Sequence, residues 1–190
     1  DVLAVVGQHV EPMMRTGTFG FRKGKYMASS DELRFKVHGV GGHAAMRERV
    51  KDPVRASAEL ISKLDDIPAA NPSDTLPTIV SIGKVVASGA TNVVPDEAYM
   101  EGTMRTFDET WRKRIKEMVY EAAAQVDARF GTQTEVNISE GYPSVYNNED
   151  LTQRVVEATA CLFGEDAIVP LGLRPTSEDF CNFKNEYPAV

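Results

Sequence analysis

The 190-residue sequence has little cysteine, no long apolar run and no excess of basic residues. With only Cys161 and Cys181, it cannot form the disulfide framework of a small secreted domain, and we expect a cytoplasmic protein. No stretch approaches the roughly 18 apolar residues of a transmembrane helix. Lysine and arginine number 21 against 28 acidic residues, a net charge of −7. Because an acidic chain does not attract phosphates, we expect neither nucleic acid nor membrane as a partner.

Both ends of the chain look interrupted. The opening residues 1–7 include no initiator methionine, basic region or long apolar core of a signal peptide. Their short apolar run, ended by Gly7, is instead typical of a buried strand in a sheet covered on both faces. Residues 187–190 close no element. We therefore expect the chain to be a fragment of a longer protein.

The middle of the chain alternates between strand and helix patterns. Residues 31–139 predict the order β-α-β-β-α-β, a ferredoxin-like sandwich whose antiparallel four-stranded sheet has both helices on one face. Pro53 suits the first position of one helix, and Thr106 with Glu109 predicts a capping box that starts the other. One sheet face stays bare, and a bare face or edge can receive another subunit.

The flanking segments fit two parts of one further domain. Residues 12–30 are rich in glycine, proline and serine, which indicates a polar linker and a domain boundary. We predict an α/β catalytic domain split into residues 1–24 and 140–190, with residues 25–139 inserted as the ferredoxin-like domain. Helical spacing places two apolar stripes in the core: Val54, Ala58, Ile61 and Leu64 in the first helix, and Leu151, Val155, Ala158 and Leu162 in the last.

Two histidines are candidates for chemistry. His9 follows the opening apolar run, at the end of a predicted parallel strand where ligands of open α/β sheets bind. Neutral imidazole is a good zinc ligand there, although a hydrogen-bonded structural histidine fits the same pattern. His43 stands among small residues in Gly41-Gly42-His43-Ala44-Ala45. A mobile imidazole on such a turn is suited to stabilise an oxyanion, and a solvated loop histidine fits equally well.

Three further polar residues are weaker candidates when taken alone. Arg105 ends a predicted strand, where a guanidinium could hold a carboxylate with two hydrogen bonds or simply lie on the surface. Asn92 could donate to an oxyanion or carboxylate, or serve as an ordinary turn residue. Glu178 could be an active-site acid, or an N-terminal helix residue favoured by the helix dipole.

The order of these short motifs resembles one family over nearly all 190 residues. The motifs are Gly-Gln-His-Val-Glu-Pro at 7–12, Gly-Val-Gly-Gly-His-Ala-Ala at 39–45, Asp-Pro at 52–53, Asn-Val-Val-Pro-Asp at 92–96, Gly-Thr-Met-Arg-Thr-Phe at 102–107 and Ser-Glu-Asp-Phe at 177–180. They are similar to those of the metal-dependent amidohydrolases that include aminoacylases, hippurate hydrolases and indole-acetyl-amino-acid hydrolases. These enzymes are related to zinc carboxypeptidases that have a dimerisation lid.

The resemblance implies a role for each candidate residue. His9 corresponds to a ligand of a two-metal centre that holds zinc, manganese, cobalt or nickel, and Glu178 to an acidic residue beside the metal cleft. His43 corresponds to the lid histidine that reaches into the partner subunit's site of a homodimer and stabilises the carbonyl oxygen. Asn92 corresponds to a lid residue near that site, and Arg105 to the arginine that holds the substrate carboxylate.

The implied reaction is metal-dependent hydrolysis of the amide bond of N-acyl amino acids or small peptides. Two metals acidify a water, and a glutamate passes its proton to the leaving amine. The family's other metal ligands and its glutamate pair correspond to positions outside residues 1–190. We therefore expect the 190-residue chain itself to bind no metal stably and to be inactive. Arg47 stands where the family usually has proline, so the loop after His43 differs.

Two other functions fit parts of the sequence. A ferredoxin-like sheet also serves as a non-catalytic dimerisation or small-molecule-binding module, since fold does not fix function. Ligands encoded before residue 1 would separate that alternative from an enzyme. An RNA-binding ferredoxin-like domain needs stacking aromatics on its central strands and a basic face, and the predicted strands offer neither.

Overall fold

The computed structural model describes all residues from Asp1 to Val190 and contains two compact units. Unit 1 consists of Asp1–Ser29 together with Tyr142–Val190, and unit 2 consists of Ser30–Gly141. The predicted division, with residues 25–139 inserted between 1–24 and 140–190, follows the same plan with different bounds.

The elements are named here in chain order. The strands are β1 Phe19–Phe21, β2 Gly24–Met27, β3 Asp31–His38, β4 Gly42–His43, β5 Ile79–Val86, β6 Val93–Val94, β7 Glu97–Arg105, β8 Gln133–Glu140, β9 Val145–Asn147 and β10 Ile168–Pro170. The α-helices are α1 Pro53–Asp65, α2 Glu109–Phe130 and α3 Glu149–Phe163. Short 3₁₀ helices lie at Arg47–Arg49, Ile67–Ala70, Glu165–Ala167 and Asp179–Asn185. None of the helices has both the length and the hydrophobicity to span a bilayer.

Unit 2 is built on a four-stranded sheet in the order β5-β7-β3-β8. Every neighbouring pair is antiparallel, and with α1 and α2 this is the predicted ferredoxin-like sandwich, so that prediction is confirmed. Leu33, Phe35 and Val37 of β3 are fully buried in the core with both helices. The alternate side chains of β3 lie on the opposite face, as the period of two predicts.

Both helices of unit 2 begin at an aspartate. Asp52 Oδ1 accepts hydrogen bonds from the amides of Val54 and Arg55, with Pro53 in the first turn as predicted. The capping box predicted at Thr106 is wrong. Asp108 is the N-cap of α2, and its Oδ1 accepts from the amides of Thr110 and Trp111. Its carboxylate directly precedes the first helical residue, so the helix starts two residues later than that box would place it.

The predicted core face of α1 is also wrong in part. The buried residues of α1 include Ala56, Ser57, Leu60 and Leu64, whereas Val54 is 43% exposed. Of the predicted stripe, Leu64 is buried and Ile61 packs partly buried against the core, whereas Val54 and Ala58 are exposed. The helix has apolar residues on two overlapping faces. The face that contains Leu60 packs against the sheet.

Unit 1 is less regular. Parallel β1 and β10 form one small sheet, and antiparallel β2 and β9 form another, beside a core of Met27, Val145 and Cys181. Residues 12–30, predicted to be a linker, therefore contain β1 and β2. The predicted buried strand at 1–7 is wrong as well. These residues are mostly exposed, and one parallel bridge joins Val5 to Ala189.

Helix α3 begins after Asn148, whose side chain accepts a hydrogen bond from the Leu151 amide. Leu151 at its first turn is buried as predicted, but Leu162 at its last turn is 76% exposed. The predicted stripe is therefore covered at the N-terminal end of the helix but not at Leu162, although the neighbouring Phe163 packs against Phe19 of β1.

Candidate active-site residues

His43 lies on a loop that is tied down on two sides. On one side, a bridge joins Val40 to Lys51 through two backbone hydrogen bonds of 2.9 Å. On the other side, β4 pairs antiparallel with β6, with His43 opposite Val93. The Ala44 amide also donates to the Asn92 carbonyl at 2.9 Å. The structure therefore brings the predicted site residues His43 and Asn92 together.

The hydrogen bonding of the His43 ring selects its tautomer. The Ala45 amide donates to Nδ1 at 3.2 Å, so Nδ1 is an acceptor and the proton of the neutral ring resides on Nε2. The side chains of His43 and Asn92 are both exposed. This arrangement presents an N–H donor to solvent on a loop whose backbone is held in place.

Asp96 anchors this loop, and sequence reasoning did not identify its role. Its carbonyl accepts from the Gly39 amide at 2.7 Å, and its Oδ1 accepts from the Gly41 amide at 2.8 Å. Gly41 passes so close to β6 that a Cβ there would lie 2.4 Å from the Val94 carbonyl oxygen. The available signal was an aspartate directly after Pro95, between a short strand and a long one, facing a glycine-rich loop.

Arg105 lies far from the His43 loop along the sheet. It is the last residue of β7, whereas Asp96 immediately precedes the first. Eight residue steps of about 3.3 Å make β7 about 26 Å long. Arg105 therefore lies at the end of the sheet where the chain enters and leaves unit 2, and the structure does not bring it together with His43 and Asn92.

His9 and Glu178 meet within unit 1. His9 Nε2 lies 2.7 Å from Glu178 Oε2, and Glu178 Oε1 accepts from the Asp179 amide at 3.1 Å as the cap of a 3₁₀ helix. Hydrogen bonding with the Asp179 side chain, and then with His9, lowers the pKa of Glu178. Glu178 thus combines both roles considered for it, a helix cap and an acid beside the predicted ligand.

This pair has the donor chemistry of a partial divalent metal site. Imidazole nitrogen and carboxylate oxygen are ligands that zinc accepts. No group of three or more histidine, cysteine, aspartate or glutamate side chains in this chain is arranged to hold a metal ion. His9 and Glu178 therefore fit one part of a metal centre, and any centre needs further ligands.

The bare face of the unit 2 sheet is polar. Cross-strand ion pairs lie along it, at 3.0 Å between Lys36 and Glu97 and 2.9 Å between Lys84 and Glu101. The Lys84 hydrogen bond lowers the pKa of Glu101. Charges paired in this way suit a solvated surface, so the sheet edge is a better candidate than the face for docking another subunit.

Comparison with known proteins places these features in a family. Residues 28–130 match the peptidase dimerisation domain of M20 peptidases. The chain is 34% identical over 187 residues to an N-acetylcysteine deacetylase of Bacillus subtilis (strain 168), an alignment that covers 98% of this chain and 49% of the relative. It is 29% identical over 187 residues to thermostable carboxypeptidase 1 of Saccharolobus solfataricus, covering 98% and 47%.

A solved structure agrees. The crystal structure of the Bacillus subtilis YXEP protein, described as a dinuclear metal binding peptidase from the M20 family, matches with a TM-score of 0.81 and 30% identity. The match covers 100% of this chain and 47% of that one. The inserted sandwich and its histidine loop are thus those of a peptidase dimerisation domain. The chain belongs to the M20 peptidase family, which confirms the resemblance, and it spans about half the length of the curated relatives it matches.

Proposed function

We propose that the full-length protein is a metal-dependent amidohydrolase that cleaves the amide bond of N-acyl amino acids or small peptides. The observation that supports this most directly is the anchored loop that presents His43 as an N–H donor. The relatives are named as deacetylases and carboxypeptidases, which both hydrolyse a bond next to an amino-acid carboxylate. Arg105 is suited to hold that carboxylate with two hydrogen bonds.

The residues of this chain then have separate tasks. A bound pair of divalent metals supplies an acidified water when present, and His9 and Glu178 are among the residues that would hold it. His43 Nε2–H donates to the oxygen that gains negative charge as the amide carbonyl becomes tetrahedral. A donor of this kind is worth about 10²–10³ in turnover. Asn92 lies beside it and contributes a second polar group.

The length of β7 supports a site shared by two subunits. Arg105 and the anchor of the His43 loop lie at opposite ends of a strand about 26 Å long, which exceeds the reach of two side chains across one small substrate. A substrate that contacts both residues therefore takes Arg105 from one subunit and His43 with Asn92 from the other. We propose such a homodimer, in which each subunit completes its partner's site.

The edge of β5 is the surface we propose for this dimer. β5 pairs with β7 on one side only, and Val85 and Val86 near its end are 51% and 45% exposed. An open edge with exposed β-branched residues is a template for pairing with another chain. The polar bare face lacks this apolar surface.

The inactivity of the 190-residue chain alone and the cytoplasmic location stay predictions.

The test is an assay of the full-length gene product. Release of free amino acid is measured from a panel of N-acetyl and N-benzoyl amino acids, with and without chelator, and then with added zinc, manganese, cobalt or nickel. We expect chelator-sensitive release. His43→Ala should lower turnover by about 10²–10³, whereas His38→Ala, on the polar face of the same unit, should not. No release with any metal from a folded dimer would favour a non-catalytic dimerisation or binding module.

A further inference from the structure

The segment that carries His9 has almost no regular structure of its own. Between Gly7, whose amide donates to the Val190 carbonyl at 2.7 Å, and Phe19 at the start of β1, the chain forms only local turns. The His9 side chain is 72% exposed. A metal ligand on such a segment needs to be held in place, because ordering a mobile side chain on metal binding costs conformational entropy and weakens the affinity for the metal.

Two side-chain contacts join this segment to another part of unit 1. One is the His9–Glu178 hydrogen bond, and the other is an ion pair between Glu11 and Arg174. The two contacts therefore join the same two short segments. His9 and Glu11 are two residues apart in one segment, and Arg174 and Glu178 are four residues apart in the other. The Glu11 carboxylate and the Arg174 guanidinium thus face each other as an ion pair.

Residues 174–178 are themselves fixed to the end of β2. The Arg174 amide donates to the Tyr26 carbonyl at 2.9 Å. The Ala28 amide lies 3.0 Å from the carbonyl oxygens of both Arg174 and Thr176, and Ala28 is fully buried. The backbone below the Arg174 side chain is thus held by a buried strand end, whereas the backbone at Glu11 is not.

We propose that Arg174 is a positioning residue for His9, acting through its ion pair with Glu11. Because Arg174 is fixed to the end of β2, its ion pair with Glu11 restrains the irregular segment that carries His9. This restraint keeps His9 within hydrogen-bonding distance of Glu178. The partners of the ion pair are only partly exposed, Glu11 at 21% and Arg174 at 37% of their side chains, so the contact is less screened than one in open solvent. That His9 is positioned as a metal ligand rests on the proposed function. That Arg174 holds His9 beside Glu178 does not depend on it.

A measurement on the metal-free full-length protein tests the positioning directly. The His9 ring nitrogens are followed by NMR and identified by the loss of their signals in His9→Gln. We expect Arg174→Met to move the His9 signals in the same direction as Glu178→Ala, because both remove the His9–Glu178 hydrogen bond. Arg154→Met, an exposed arginine on α3 of the same unit, is the matched control and should leave them in place. His9 signals unchanged in Arg174→Met would overturn the proposal.

Metal titration tests the consequence for the centre. Zinc affinity is measured in metal buffers, and cobalt absorption reports the ligand geometry. Arg174→Met and Glu11→Gln should each lower affinity by about 10–100-fold, the usual effect of losing a residue that orients a ligand. The exchange Glu11→Arg with Arg174→Glu should recover most of that loss, which a general folding defect would not allow.

The outcomes separate the two proposals. Wild-type metal binding and hydrolysis, with an Arg174→Met variant that matches wild type in affinity and cobalt spectrum, would overturn the positioning role and leave the enzyme intact. A wild type without metal binding or hydrolysis would overturn the proposed function, and the His9 signals of the metal-free protein would still decide the positioning.

Discussion

At the scale of single residues, Asp96 shows how one side chain can set the place of another. Its carboxylate and its carbonyl hold two amides of the loop before His43. The interaction at Gly41 requires only an acceptor oxygen, not a charge. This distinction makes the role testable by comparing two substitutions at the same position.

If the full-length protein has the proposed activity, we expect Asp96→Ala to lower kcat by about 10-fold or more, since a small displacement of His43, the proposed oxyanion donor, is costly. Asp96→Asn keeps an oxygen acceptor at Oδ1 and should retain most of the activity. The measurement is kcat and KM for both variants, with metal affinity as the control that should not change. Equal loss in both variants would mean that the charge, and not the loop anchor, matters.

Ser57 offers a prediction about stability. It is 2% exposed in the middle of α1, and its Oγ has no hydrogen-bond partner. Because a buried hydroxyl without a partner costs about 1–3 kcal/mol, Ser57→Ala should raise the free energy of unfolding by about 1–2 kcal/mol. Urea unfolding of the 190-residue chain, followed by fluorescence of its single tryptophan, Trp111 in unit 2, measures this.

Ser62→Ala is the matched control. Ser62 lies on the same helix, but it is exposed and donates to the Ala58 carbonyl. It should gain only the difference in helix propensity, about 0.5 kcal/mol. A gain at Ser57 no larger than at Ser62 would contradict the burial argument.

The sequence motifs predicted candidate site residues, and the structure shows which of these candidates lie close together. His9, Glu178, His43 and Asn92 were identified from motifs. In the structure His9 is hydrogen-bonded to Glu178, and the Asn92 carbonyl accepts from the Ala44 amide next to His43. The positioning roles of Asp96, Glu11 and Arg174 were not identified. Their importance lies in contacts between segments distant in sequence, and an aspartate or arginine in a loop gives no local signal of such a contact.

At the scale of elements, the buried pair of Asp31 and Arg112 joins α2 to the start of β3. Arg112 Nε and Nη2 donate to the two carboxylate oxygens of Asp31, both at 2.7 Å, and Nη2 also donates to the Gly141 carbonyl at 3.1 Å. Asp31 raises the pKa of Arg112. The pair thus holds the first strand and the last residue of unit 2 on one helix.

Removing one partner should be much worse than removing both. Arg112→Met removes both guanidinium hydrogen bonds from the buried Asp31 carboxylate. That carboxylate then keeps the Gly141 amide at 3.3 Å and Lys116 Nζ at 3.8 Å, and we expect the unfolding free energy to fall by about 3 kcal/mol. The double variant Asp31→Val with Arg112→Met should lose markedly less, since no charge is then stranded. Urea unfolding of the two variants and the wild type measures the difference, and a double variant as unstable as the single one would contradict it.

Elements were predicted best where burial is one-sided. The central strand β3 alternates strictly between buried and more exposed residues, and the order of the strands and the two helices of unit 2 were predictable. Helix details were not, because a capping aspartate at 108 competes with the threonine at 106. Unit 1 was predicted poorly, since its strands of three and four residues are too short to show a period.

At the scale of the whole molecule, the proposed shared site predicts complementation. His43→Ala and Arg105→Ala homodimers of the full-length protein should each be nearly inactive. After the two variants are mixed and allowed to exchange subunits, half of the dimers are mixed. One site in each mixed dimer then has both residues, so activity should return to about a quarter of wild type.

The control for complementation is a mixture of His43→Ala with Asn92→Ala. These residues lie on the same side of the shared site, so no mixed dimer restores a complete site and activity should stay low. Subunit exchange is verified with two affinity tags. An Arg105 and His43 mixture that exchanges subunits without recovering activity would show that the two residues do not act on one substrate.

The two ends of unit 2 lie next to each other. Asp31 pairs with Glu140 across β3 and β8, and a Cβ on Gly141 would lie 2.2 Å from the Ser30 carbonyl oxygen. The two chain segments that connect residues 30–141 to the rest of the chain therefore lie side by side. A gene encoding unit 1 could gain or lose this insert in one event without stretching the host, since neighbouring termini are what domain insertion requires. Adjacent termini of this kind would allow unit 2 to be transferred as one piece into another protein, in evolution or by protein engineering.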